Sequence, residues 1–418
     1  MEEKPNPAPE PRVIGLDSHP DTFTAAALKG SIPRTAGTEK LFNRTPISQL
    51  QSWAQKNTRP SDIIVLEASG NSFFIARSLQ AVGRKAIVLE SRHLGKLKEA
   101  HANNDKISAV RIAKAYLAGT AKEVWIPDPK TQERRDWFLA FKKVVKRTTQ
   151  LHNRLESYLS DHGVREFPVE TLLNEPAQTQ LKAKREWTSR QWQVVAGLIM
   201  EMRHAEEQRA HWLSLMSQEV MEDPVLLSLM RIGGIRDIIA FAIGAIIGDI
   251  SRFATPKKLV NYLGLSPAFN DSGEGEWTGG VRGQGRRDLK SLLIQGAQAV
   301  LKTKTPMGKW GQKLFRRKNQ WSLAVVAVAR KMAVAIWYLL NGKWTEVEEI
   351  DVKLEGKITK MLGHVGPAGF QALNKPRLQV RKEVKERLKG GRTYYLNRDK
   401  KMPSRKAAAG TEPALQGT

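Results

Sequence analysis

Cysteine is missing from all 418 residues. Its absence excludes disulfides, thiolate zinc sites and a cysteine nucleophile, and it fits a reducing compartment. Histidine is scarce at eight residues, with no metal-ligand spacing, so a zinc site is unsupported. No Gly-Lys-Ser phosphate loop occurs, which argues against ATP use. The start, Met1-Glu2-Glu3-Lys4-Pro5, has no apolar run behind a basic stretch and does not read as a signal peptide. Long hydrophobic runs are few. Ile238 to Gly248 is too short to span a bilayer, and Leu323 to Leu340 carries Arg330 and Lys331 in its middle. Both read as buried helices of a soluble protein, with no membrane partner. Acidic residues are in deficit, 42 against 68 Lys plus Arg, leaving a net charge of +26. Such a surplus calls for a polyanion, nucleic acid first and an anionic membrane surface second. What is present is otherwise ordinary: 41% apolar and 26% charged residues suit a globular chain of two or three domains.

Residues 1–10 hold three prolines without periodicity and read as a disordered lead-in. Residues 11–129 read as an α/β domain with a mixed sheet. Strands are expected at Val13 to Asp17, Thr22 to Leu28, Glu39 to Asn43, Asp62 to Glu67, Lys85 to Glu90 and Glu123 to Pro127. Helices are expected at Ile47 to Lys56, Phe73 to Val82, 93–100 and Ile107 to Leu117. Residues 130–222 read as a long helical hairpin or coiled coil, with helices Trp137 to His162 and Gln178 to Met221. Residues 223–345 form a mostly helical C-terminal domain. Within it, Arg231-Ile232-Gly233-Gly234-Ile235 is either a phosphate-binding helical hairpin or a plain core turn. Phe253 to Leu265 reads as a helix, 266–287 as a Gly-rich loop, and Asp288 to Lys302 and Trp321 to Leu340 as helices. Residues 346–418 read as a weakly ordered basic tail, with 13 basic against three acidic residues between Lys375 and Lys406.

Three constellations carry chemistry. Asp17 ends the first strand, Glu67 ends the strand after the first helix, and Asp105 begins a later helix. Strand ends of an open sheet converge on one edge. Carboxylates meeting there repel unless hard cations such as Mg²⁺ or Mn²⁺ neutralise them; the plainer alternative is that each acid only solvates a strand end. His19 beside Asp17 reads as an outer partner of that site or as a solvated strand-end residue. Ser272, in Asn270-Asp271-Ser272-Gly273, stands near Arg282, Arg286, Arg287 and Lys290. It reads either as an ordinary turn serine or as a nucleophile among phosphate-stabilising cations. Trp277, Trp310, Trp321 and Trp344 interleave with Lys309, Lys313, Arg316, Arg317 and Lys318, a mixture suited to phosphate contact and base stacking.

Taken in order, several motifs resemble one family. They are Ile14-Gly15-Leu16-Asp17, Val65-Leu66-Glu67-Ala68-Ser69-Gly70, Asn104-Asp105-Lys106-Ile107-Ser108-Ala109, Ile232-Gly233-Gly234-Ile235, Tyr262-Leu263-Gly264-Leu265, Ser272-Gly273 and Ala327-Val328-Ala329-Arg330-Lys331-Met332. Over about residues 12–345 the chain resembles the DEDD-type insertion-sequence transposases, the bridge-RNA-guided recombinases, with Piv-type DNA invertases as relatives. The resemblance implies a RuvC-like, RNase H-type domain, a coiled-coil insertion and a C-terminal transposase domain. It implies that Mg²⁺ sits on Asp17, Glu67, Asp105 and the position of Ser108, and that Ser272 attacks DNA to form a phosphoserine link. It further implies target and donor DNA and a structured bridge RNA as partners. A homo-oligomer, dimer to tetramer, would put the acids of one subunit against the serine of another. The setting implied is the prokaryotic cytoplasm, at the nucleoid. One position departs: the family's Asp-x-x-Asp-Ala reads here as Asp105-Lys106-Ile107-Ser108-Ala109, so a hydroxyl replaces the fourth acid. A metal-dependent structure-specific nuclease and a non-catalytic nucleic-acid-binding protein stay open as alternative functions.

Overall fold

The computed structural model describes residues 12–91, 104–272, 275–281, 285–343 and 351–399. The expected lead-in at 1–10, the helix at 93–100 and Arg282 lie outside the described residues. The chain divides into two units, Met1–Asp128 and Pro129–Thr418.

The first unit is built on a six-stranded mixed sheet. Its strands are β1 (Val13–Ser18), β2 (Thr22–Lys29), β3 (Gly37–Pro46), β4 (Ile63–Glu67), β5 (Lys85–Leu89) and β6 (Glu123–Val124), in the spatial order β3-β2-β1-β4-β5-β6. β1 pairs antiparallel with β2 and parallel with β4, β4 runs parallel to β5, and β6 closes the edge antiparallel. The expected strand to Pro127 is only two residues long. Ile14, Leu16, Ile64 and Leu66 bury on one face beneath α1 (Leu50–Asn57) and α2 (Ser72–Ala81). Val13, Val65, Ile87 and Leu89 bury on the other beneath α3 (Asp105–Leu117). Apolar residues on both parities of a strand are what a sheet covered on both faces requires.

One glycine fixes how α3 lies on β1. A Cβ at Gly15 would stand 1.9 Å from the carbonyl oxygen of Ala109 and 2.9 Å from the amide of Ala113. Only the missing side chain lets helix and strand backbones touch. One helical turn before Ala109 comes Asp105, so this contact carries the N-terminus of α3 to the end of β1 where Asp17 stands.

The second unit is helical. α4 (Pro129–Asp161) begins eight residues before the expected Trp137, with proline at its first position, where a missing N–H costs nothing. The expected helix Gln178 to Met221 is two helices, α5 (Glu175–Ala183) and α6 (Ser189–Glu222). Thr188 accepts from the amide of Gln191, whose side chain accepts from the amide of Thr188, and this reciprocal cap starts α6 afresh. Contacts between Trp137 and Trp212, Arg147 and Glu201, and Tyr158 and Gln191 run in opposite sequence order, so α4 and α6 are antiparallel.

Beyond the hairpin come α7 (Pro224–Leu229), α8 (Asp237–Ile247), α9 (Pro256–Tyr262), α10 (Arg287–Leu301), α11 (Pro306–Lys318) and α12 (Trp321–Leu340). A Cβ on Gly234, at φ +78°, would meet the Gly296 carbonyl of α10 at 2.4 Å. The Gly-Gly turn therefore serves close backbone packing, the plain core reading. α12 is long and apolar enough to cross a membrane, but Ala324, Val328, Ala329, Met332 and Ile336 are buried in the core of this unit. Its central Arg330 donates to the Leu265 carbonyl at 2.5 Å.

Two expectations fail here. Residues 266–287 are not a loop throughout: β7 (Pro267–Ser272) and β8 (Gly275–Val281) form an antiparallel hairpin. Nor are residues 351–399 a weakly ordered tail. They form α13 (Asp351–Ala372), interrupted at Gly366-Pro367, and α14 (Arg377–Asp399). Ile358, Met361, Leu362 and Val365 repeat at helical spacing and bury in the core. Lys357, only 9% exposed, donates to the carbonyls of Met230 and Ile232.

Candidate active site

The register of β1 with β4 sets Leu16 opposite Leu66, so Asp17 and Glu67 are the next residues on neighbouring parallel strands. Both follow the parity of Val13 and Val65, which is the face covered by α3. Asn104 caps α3 by accepting from the Ile107 amide at 2.9 Å, which sets Asp105 in its first turn. Asp17, His19 and Asp105 each offer a ligand atom within 4.8 Å of the others. Glu67 is not in this group, although it lies on the same strand edge. Two of the three expected acids thus meet, and a histidine meets them.

His19 is the residue that the sequence reading undervalued. Its Nε2 lies 3.3 Å from Asp105 Oδ1, while Arg44 Nε stands 3.9 Å from Asp105 Oδ2. Its position two residues past a strand-end acid was the available signal. Arg111 donates to the Ser108 Oγ at 3.3 Å. Burial pushes the Asp17 carboxyl above its ordinary pKa, and the neighbouring Asp105 charge adds to this. His19, Arg111 and the Ser108 hydrogen bond pull the other way without cancelling the rise. A carboxyl desolvated beside a like charge is a group short of positive charge. Two carboxylates and one imidazole are a donor set that fits a divalent cation.

Ser272 belongs to the second unit. It is the last residue of β7, opposite Gly275 at the turn end of the hairpin. The base of that hairpin is pinned by backbone. Gly285, at φ +108°, has room for no side chain, since a Cβ would stand 2.6 Å from the Gly264 amide. The Arg286 amide donates to the Tyr262 carbonyl at 3.1 Å.

The expected nucleic-acid contacts divide into two kinds. Arg286 is engaged with Asp288 at 3.0 Å, which ties it to the start of α10. Burial pushes Lys290 below its ordinary pKa, and Arg287 adds to the effect. By contrast Lys309, Lys313, Arg316, Arg317 and Lys318 are all exposed on α11. Positions 309, 313, 316 and 317 share one helical face, opposite the buried Gly308 and Gly311. Trp310, 38% exposed, borders that face with Lys331 Nζ 4.5 Å from its ring centroid. No acidic residue occurs between Asp288 and Glu346.

Comparison with known proteins bears on what such an arrangement is for. Residues 227–310 match the family model described as Transposase IS116/IS110/IS902 family. The chain is similar to the transposases of that family. It is 26% identical over 299 residues to the transposase for insertion sequence element IS1111A of Coxiella burnetii, covering 68% of this chain and 78% of that protein. It is 24% identical over 296 residues to a Pseudomonas aeruginosa protein named Probable family 20 transposase, covering 68% of this chain and 85% of the relative. These matches agree with the expected enzyme class, a DNA transposase.

Proposed function

We propose that the chain is an RNA-guided DNA recombinase of transposition, in which Ser272 attacks the DNA backbone with the help of a divalent ion held at the acid edge. The observation that carries this reading is the meeting of Asp17, His19 and Asp105 at one strand edge, in a chain similar to transposases. Asp17 and Asp105 would hold the ion, with Glu67 beside them on the next strand. A bound Mg²⁺ or Mn²⁺ would polarise the phosphate and stabilise the leaving oxygen.

The remaining chemistry belongs to the protein. The Ser272 Oγ bonds to phosphorus as the P–O bond to the leaving strand breaks; the serine proton departs and the leaving oxygen gains one. One phosphoester replaces another, so the link can be resealed to a new strand without ATP. Arg282, Arg287 and Lys290 lie close in sequence and would offset the charge that develops on the phosphate. The exposed cations of α11 would hold phosphates of a guide RNA or of target and donor DNA without reading bases, which makes binding strongly salt-dependent. Assembly would be homo-oligomeric, dimer to tetramer, with the acids of one subunit serving the serine of another.

The test is a denaturing-gel assay for protein–DNA adducts with the bound RNA present. Ser272→Ala is expected to lose the adduct and keep RNA binding. Adduct persisting in Ser272→Ala, or strand cleavage continuing without adduct, overturns the serine mechanism. The latter outcome would point to a hydrolytic nuclease.

A further inference from the structure

We propose that His19 is itself a metal ligand, standing with Asp17 and Asp105 where the resemblance leads one to expect carboxylates only, and that this tunes the site from Mg²⁺ toward Mn²⁺. The inference rests on the metal site proposed above and deepens it.

Three observations carry it. The ligand atoms that lie within 4.8 Å of one another are those of Asp17, His19 and Asp105, with Glu67 outside the group. Position 108 is a serine whose Oγ accepts from Arg111 at 3.3 Å. It therefore brings no charge of its own to the site. The backbone of His19 is fixed from both sides: its amide donates to the Thr22 carbonyl at 2.8 Å, and its carbonyl accepts from Asn71 Nδ2 at 2.8 Å. Asn71 is held in turn by the Ser18 and Ser69 hydroxyls, each at 3.1 Å from its Oδ1. The histidine is thus set at the site by the β1–β2 turn and the start of α2, although its side chain is 46% exposed.

The chemistry follows from the donor set. Two carboxylates and a neutral imidazole carry a formal charge of −2, which one divalent ion neutralises. Mg²⁺ prefers an all-oxygen shell in strict octahedral geometry, whereas an imidazole nitrogen suits the later first-row ions better. The group therefore favours one ion, and favours Mn²⁺ over Mg²⁺. The competing account is that His19 only pairs with Asp105. In that case it competes with a cation, and removing it should strengthen metal binding. The two accounts differ in sign.

The experiment titrates the full chain with MnCl₂ and follows loss of the free Mn²⁺ paramagnetic signal. Mg²⁺ affinity is read by competition, and couplings from a nitrogen bound to Mn²⁺ are read by pulsed electron resonance. Wild type should show those couplings. His19→Ala should lose them and weaken Mn²⁺ by at least about tenfold, the loss that even a ligand's outer partner can cause. Mg²⁺ affinity should change by less than about threefold. Ser108→Asp, which restores a carboxylate without touching the imidazole, should raise Mg²⁺ affinity. Unchanged or tighter Mn²⁺ binding in His19→Ala, without nitrogen couplings in wild type, overturns the role of His19. Asp17→Asn separates the two failures. If it abolishes Mn²⁺ binding while His19→Ala does not, the metal site stands and only the histidine inference falls. If it leaves Mn²⁺ bound, both fall.

Discussion

Carboxylates gather at two places among the described residues, one in each unit, and the two places treat negative charge in opposite ways. At the strand edge of the first unit, Asp17 and Asp105 meet beside a histidine, and burial raises the Asp17 carboxyl. At the base of the helical hairpin, Glu219 and Asp223 both lie on the Arg134 guanidinium at 2.5 Å, and Lys130 stands 3.5 Å from Glu219. Burial there would raise Asp223 too. The hydrogen bonds from Arg134 and from the amides of Leu226 and Val225 outweigh it and hold Asp223 below its ordinary pKa. An acid that the fold uses is thus fully compensated within the chain. An acid left raised by its surroundings has room for a cation from outside.

The largest expected effects test whether each place is built as described. Gly15→Ala puts a methyl 1.9 Å from a backbone carbonyl that cannot swing aside. α3 must lift from β1, at about 3 kcal/mol or more, and Asp105 must leave Asp17. Urea denaturation and Mn²⁺ titration should both report the change, and native metal affinity with native stability would refute the packing account. Arg134→Ala should cost about 2–3 kcal/mol, less than a fully buried ion pair because these groups keep some exposure. Nothing comparable should follow at Arg44, whose side chain is 77% exposed at 3.9 Å from Asp105.

A crossed pair of isosteric changes is smaller and more discriminating. Asp223→Asn removes a charge that Arg134 needs while keeping an oxygen to cap α7, and should lose about 1–2 kcal/mol with the chemistry intact. Asp17→Asn removes a desolvated charge and should stay within about 0.5 kcal/mol of wild type, yet abolish adduct formation. Calorimetry beside the adduct assay reads both. Equal losses of stability would erase the distinction between the two sites.

Much of the first unit was legible because β1, β2, β4 and β5 obey one rule. Apolar residues on both parities forced a sheet covered on both faces, and Asp17 and Glu67 ended strands that proved to be parallel neighbours. The second unit was harder where long-range contacts decide. Gly234 signals flexibility in sequence, and only the Gly296 backbone across from it shows that closeness is the point. The basic content of residues 351–399 concealed the spacing of Ile358, Met361, Leu362 and Val365, which alone marks a buried helix face. Thr188-x-x-Gln191 was a readable cap inside a stretch whose composition favoured one continuous helix. At the site, composition named the acids, but not which of them meet. Glu67 stays outside the tight group although the register sets it beside Asp17, whereas Asp105 is brought in by a whole helix resting on Gly15. His19 enters through a turn, where no periodicity guides the eye.

The smallest expected effect concerns acid, and it follows from the sign at each structural carboxylate. Asp62 is drawn up by burial, but the Arg12 hydrogen bond at 2.7 Å and the Arg59 amide outweigh this and hold it below its ordinary value. Asp223 and Asp288 are held low in the same way by Arg134 and Arg286. A carboxyl whose folded-state pKa lies below its unfolded value of about 3.9 binds protons more readily when unfolded. Its contribution is therefore complete above that value and is lost as pH falls through the folded-state value. Stability of the full chain should fall steadily from about pH 4 downward, read as urea midpoints. Arg134→Ala removes the cation that holds Asp223 low, so its acid limb should be shallower than that of wild type, while Arg12 still holds Asp62 and preserves part of the slope. Parallel acid limbs in the two proteins would mean that Asp223 is not compensated by Arg134, and the contrast with Asp17 would lose its physical basis.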